Sequence, residues 1–114
     1  MNTLQPPLLE SLQQTTEPKV SKEATIQERF EAFHKSNPHV YAALRSLALQ
    51  MLGSGVRQYG IKGLFEICRW QFALQTKGEP FRLCNTYSSR YARLLIDRNP
   101  ELEGFFELRG LRSE

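Results

Sequence analysis

The run from Ile61 to Gln75, I-K-G-L-F-E-I-C-R-W-Q-F-A-L-Q, restricts what this chain can fold into more than any other stretch. Ile61, Leu64, Phe65, Cys68 and Phe72 recur at helical spacing, and Ile67, Trp70 and Leu74 widen the apolar face. Lys62, Glu66 and Arg69 make the polar stripe, with Lys62 and Glu66 placed for an i, i+4 pair. A helix this apolar belongs at the centre of a domain. Other elements must therefore cover it.

Those elements are marked by their ends. Thr25-Ile26-Gln27-Glu28 is a capping-box pattern, and Ile26, Phe30 and Phe33 give a first short helix with one apolar face. It stops at Ser36-Asn37-Pro38, because the residue before a proline is disfavoured in the helical region. Asn37-Pro38 also opens the second helix, as an N-cap followed by proline at the first helical position. Val40, Leu44, Leu47, Ala48 and Met51 form the inner face of that helix, and Gly53-Ser54-Gly55 ends it. After the central helix, Thr76 to Pro80 reads as a turn and Phe81-Arg82-Leu83 as a short strand. A fourth helix over Asn85–Arg98 is capped by Asn85 or Thr86 and carries Tyr87, Tyr91, Leu94 and Leu95 as its apolar stripe. Asn99-Pro100 closes it, and Glu103–Leu108 is a second strand candidate. Residues 1–24 hold Pro6, Pro7 and Pro18 with little sustained periodicity, which predicts a flexible N-terminal tail. Leu4, Leu8, Leu9 and Leu12 within it can form a short amphipathic patch.

The expected fold is therefore mainly α. Residues 25–114 form a single globular α-rich domain of about four helices with a short two-stranded ribbon and a winged-helix-like C-terminal half.

The net charge is only +3, but it is unevenly spread. Residues 81–99 hold Arg82, Arg90, Arg93 and Arg98 against Asp97 alone, and the segment from Pro100 onward turns acidic with Glu101, Glu103 and Glu107. No apolar run is long enough to span a bilayer, and the first residues lack the pattern of a secretory signal. A cytoplasmic protein without membrane partners is expected. His34, His39, Cys68 and Cys84 make no metal-ligand spacing, and the glycines make no phosphate-cradling loop after a strand. Neither a metal, a cofactor nor an enzymatic constellation is expected from these residues, and the cysteines are expected reduced.

The order helix, turn, strand, helix, strand over Ile61–Leu108 resembles a winged helix-turn-helix, although the spacer Thr76–Cys84 exceeds the ~3–4-residue turn of the simple motif. On that reading double-stranded DNA is contacted by the Asn85–Arg98 helix. Arg90 and Arg93 suit guanine edges and phosphates, while Ser88 and Ser89 near the helix start suit phosphates. Arg57, Lys62 and Arg82 are the nearby basic candidates. Tyr59–Trp70, Asn85–Leu95 and Gly104–Arg109 also resemble runs in small, largely uncharacterised bacteriophage and bacterial proteins. That resemblance implies a small intracellular phage-type or bacterial protein, compatible with DNA binding, and carries over no site residues; a regulatory role goes with the DNA reading. The alternative is a phage-type module that binds and inhibits or redirects a host protein, with Glu101, Glu103 and Glu107 facing a basic surface. A homodimer suits the DNA reading, because paired domains read two half-sites.

Overall fold

The computed structural model describes Leu9 and residues 12–107. Among these residues the chain forms four α-helices, α1 (Ile26–Ser36), α2 (Pro38–Gly53), α3 (Ile61–Thr76) and α4 (Ser88–Arg98). Single turns of 3₁₀ helix precede and follow α4, at Asn85–Tyr87 and Pro100–Leu102. α3 packs on α2 and α4, α1 closes on α2, and the turn after α4 folds back on α2 and α4. Phe33, Val40, Leu44, Leu47, Leu64, Phe65, Cys68, Tyr91 and Leu95 meet in one core. Each buried Leu or Phe of this kind contributes ~1.5–3 kcal/mol over leaving it in water.

The helix ends follow local chemistry. Thr25 Oγ1 accepts from the Glu28 amide at 3.1 Å, and Glu28 Oε1 accepts from the Thr25 amide at 2.9 Å, completing the capping box. Asn37 precedes α2 as expected but does not cap it. Its side chain turns back instead: Nδ2 donates to the Phe33 and Thr16 carbonyls, and Oδ1 accepts from the Thr16 amide. Asn85 and Thr86, the expected caps of the fourth helix, make no cap either; Asn85 Oδ1 accepts from Arg69 Nη2 at 2.8 Å.

No strand is present among the described residues, so the two-stranded ribbon expected at Phe81–Leu83 and Glu103–Leu108 is not formed. The support for a winged-helix-like half goes with it; Leu108 lies outside the described residues. The Arg82 amide donates to the Gln14 side chain and the Leu83 amide to the Phe81 carbonyl, a tight turn in place of a ladder. In the second segment Phe105 and Phe106 are adjacent and both buried, whereas a strand would send them to opposite faces. Gly104 at φ +83° turns the chain just before them.

Two further placements differ from the periodicity. Trp70 and Leu74 extend the apolar face in the sequence but are 53% and 62% exposed. They share the outward i, i+4 row of α3 with Lys62 and Glu66, while Gln71 is buried in their place. Glu66 pairs with Arg69 rather than with Lys62. Residues 12–24 carry no helix or strand and lie along the helices. The amides of Leu9 and Leu12 donate to the Gln71 and Gln75 side chains on α3, Gln14 Nε2 donates to the Pro80 carbonyl, and Thr15 Oγ1 donates to the Arg82 carbonyl.

Candidate nucleic-acid interface

α4 is held by its apolar stripe. Tyr91 and Leu95 are buried in the core, with Tyr87 and Leu94 half-buried beside them. The Tyr91 ring meets Phe30 edge-on at 4.8 Å and Phe65 at 6.1 Å between centroids, which joins α1, α3 and α4. With this stripe turned inward, Ser89, Arg90, Arg93 and Asp97 are left on the helix's partly open side.

Ser88 departs from its expected place on that surface. It is 4% exposed, at the seam where α4 meets α3. The preceding 3₁₀ turn rotates the start of α4 toward the N-terminus of α3, and the Ser88 amide donates to the Asn85 carbonyl. Ser88, Ser89, Gly60, Ile61, Lys62 and Glu107 together line a cleft of about 290 Å³.

Further along α4, Arg90 and Arg93 line a second cleft, of about 370 Å³, with Leu94 and Asp97 on the same helix and Gln27 and Phe30 on α1. Arg90 Nε donates to Gln27 Oε1 at 2.9 Å, which fixes the guanidinium across the α1–α4 groove. Five of the seven candidates thus line the two clefts beside α4: Lys62, Ser88 and Ser89 the one toward α3, and Arg90 and Arg93 the one toward α1.

Arg57 and Arg82 are not gathered with them by any described contact. Arg57 is exposed in the loop between α2 and α3. Arg82 lines a separate depression with Glu17, Phe33, Cys84 and Tyr87, and its backbone is bound to Gln14 and Thr15.

Arg69, on the polar stripe of α3, ties that helix to the segment that leads into α4. It pairs with Glu66 and donates through Nη2 to the Leu83 carbonyl and to Asn85 Oδ1, with its guanidinium 5.9 Å from the Phe65 ring centre. It thereby holds residues 83–85 against α3 and sets the direction in which α4 begins. No spacing rule connects position 69 with positions 83 and 85.

The cysteines are both free, Cys68 buried and Cys84 exposed. Burial pushes the Cys68 thiol up to about 12 against the opposing pull of the Arg69 guanidinium, which keeps it a protonated core residue. Among the described residues no three His, Cys, Asp or Glu side chains are grouped to hold a metal ion. Among them, too, no helix is long and apolar enough to cross a membrane. Compared with protein-family models, curated proteins and solved structures, the chain matches none.

Proposed function

We propose that this protein binds double-stranded DNA through the outward side of α4 and the adjoining N-terminus of α3. The observation that carries the reading is the pair of clefts beside α4, one lined by Lys62 and Ser89 and the other by Arg90 and Arg93. α4 has 11 residues, a length of ~16 Å at 1.5 Å per residue, which suits the ~12 Å width of a major groove. The Gln27 hydrogen bond pre-orients Arg90, so less side-chain freedom is lost when it meets a phosphate or a guanine edge. Phosphate contacts supply most of the affinity in such a complex and make it depend on salt. The test is fluorescence anisotropy with a labelled duplex. Affinity should fall by at least about tenfold between about 50 and 200 mM salt, and Arg90→Ala with Arg93→Ala should abolish most of it without loss of fold. No duplex binding at the lower salt by the intact protein overturns the reading.

A second reading, a module that binds a host protein, is favoured by Trp70 and Leu74. Two large apolar side chains stand exposed one helical turn apart on α3, and tryptophan is the residue most enriched at binding hot spots. The same duplex assay separates the two readings. Trp70→Ala leaves DNA affinity unchanged on the first, and only a nuclease-resistant, stoichiometric protein partner lost on Trp70→Ala supports the second.

A further inference from the structure

We propose that the outward row of α3 is a self-association face, on which α3 of a second copy of this chain packs antiparallel. The inference does not rest on the DNA reading above.

α3 gives Leu64, Phe65, Cys68 and Phe72 to the core. On its other side Glu66, Trp70, Leu74 and Lys77 are all exposed. At about 100° per residue these four fall within about 80° of one another, so they form one row along the helix. Trp70 and Leu74, at its middle, are the most exposed large apolar side chains among the described residues. Two such groups standing one turn apart in water mark a contact face.

The order of charge along the row favours one partner. Glu66 stands one turn before Trp70, and Lys77 about one turn after Leu74. Lys77 takes the left-handed conformation, at φ 62°, that ends the helix, which puts its charge at the far end of the row. A row that reads acidic, apolar, apolar, basic is complementary to its own reverse. About a twofold axis midway between Trp70 and Leu74, Trp70 of each copy meets Leu74 of the other, and Glu66 of each meets Lys77 of the other. At 1.5 Å per residue, positions 66 and 77 lie about 9 and about 8 Å from that axis, so the charges come into register. Such a contact is isologous, the commonest way for identical chains to pair. Glu66 is held by Arg69 yet stays largely exposed, and its carboxylate can accept from a second cation.

The face is small. Two tryptophans, two leucines and their flanking charges bury less than the about 1,200 Å² of a stable complex, so the dimer is weak, with a Kd of about 10–100 µM.

Trp70 is the only tryptophan in the sequence, so its emission reads this face directly. The experiment is sedimentation velocity of the full chain between about 1 µM and about 1 mM, with tryptophan emission followed over the same range. A monomer–dimer equilibrium is expected, with emission moving to shorter wavelength as the dimer fills. Trp70→Ala should weaken the dimer by at least about tenfold. Glu66→Lys or Lys77→Glu alone sets like charges together at both ends of the row, and each should weaken it by about tenfold. An equimolar mixture of those two variants, or both changes in one chain, restores opposite charges and should recover the original affinity within about threefold. Circular dichroism establishes that each variant is folded; Arg69 keeps its bonds to Leu83 and Asn85 when Glu66 is replaced.

A chain that stays monomeric up to about 1 mM overturns the proposal. So does a dimer indifferent to Trp70→Ala, or one whose charge-reversed variants are not rescued by mixing. Short-wavelength emission that is independent of concentration assigns the cover of Trp70 to the chain's own residues and overturns it too. A host protein bound on Trp70 by a monomeric chain removes the second copy and keeps the host-protein reading. Duplex binding by a monomeric chain removes the self-association face and keeps the DNA reading.

Discussion

Asn37 and Asn99 each precede a proline, each is nearly or fully buried, and each turns its amide back on the helix it follows. The backbone N–H and Nδ2 of Asn37 both donate to the Phe33 carbonyl, and those of Asn99 both donate to the Leu95 carbonyl. The remaining capacity joins distant segments: Asn37 to Thr16 on both of its backbone groups, Asn99 to Tyr41 Oη and Arg45 Nε. Asn37→Ala should lower unfolding free energy by about 1–2 kcal/mol, because it removes both side-chain bonds to the Thr16 backbone and one of the two bonds to the Phe33 carbonyl. Chemical denaturation measures it, and a loss under about 0.5 kcal/mol would show those bonds to be replaced by water. Tyr91 predicts the opposite sign. Its ring is fully buried while its hydroxyl has no hydrogen-bond partner among the described residues, and burial raises its pKa. Tyr91→Phe keeps the ring contacts and removes an unsatisfied polar atom, so stability should rise by about 1 kcal/mol in the same assay.

Those two asparagines also show what is legible at the scale of elements. Asn-Pro marks a helix boundary through backbone sterics alone, so the ends of α1 and α4 can be read locally. The periodicity likewise locates α2 and α3, because 3.6-residue spacing is a property of one segment. The strand readings failed because a strand is defined by its partner. Phe81–Leu83 has an extended-looking pattern, but Gln14 and Thr15 occupy its polar groups, at a separation of more than sixty residues. Site placement was legible in part. The helical wheel of α4 puts Arg90 and Arg93 off the core, yet nothing within 85–98 announces that Ser88 faces the start of α3. Arg69 is the residue that decides this, through Leu83 and Asn85. Arg69→Ala should therefore loosen the approach to α4 rather than α3 itself. Hydrogen exchange should accelerate by at least about tenfold at residues 83–88 while the α3 core amides stay protected. Equal acceleration along both elements would show Arg69 to act on the whole domain.

At the scale of the molecule, α1, α2 and α4 meet around His34. Its ring stacks parallel on Phe30 at 6.0 Å and stands edge-on to Tyr41 at 5.6 Å and Tyr91 at 6.1 Å. Nδ1 is buried without a hydrogen-bond partner among the described residues. Arg98 approaches from the end of α4, with its guanidinium 5.3 Å from the centre of the Tyr41 ring. Burial first, and the Arg98 charge second, lower the His34 pKa from its ordinary value of 6.5. The folded state therefore prefers neutral imidazole, whereas the unfolded chain takes up its proton near 6.5. Above that value both states are neutral and the junction is at full strength. Between it and the lower folded pKa the unfolded state binds more protons, so stability falls as the pH falls. The loss is complete below the folded value. Protonation would place an imidazolium among three aromatic rings beside a guanidinium, loosening all three helices together. His34→Phe retains the stacking and removes the titration. The thermal midpoint of the unaltered chain should fall between about pH 7.5 and pH 5, and that of His34→Phe should fall by less over the same interval. Parallel curves for the two proteins would assign the acid sensitivity to other groups and leave His34 as a packing residue alone.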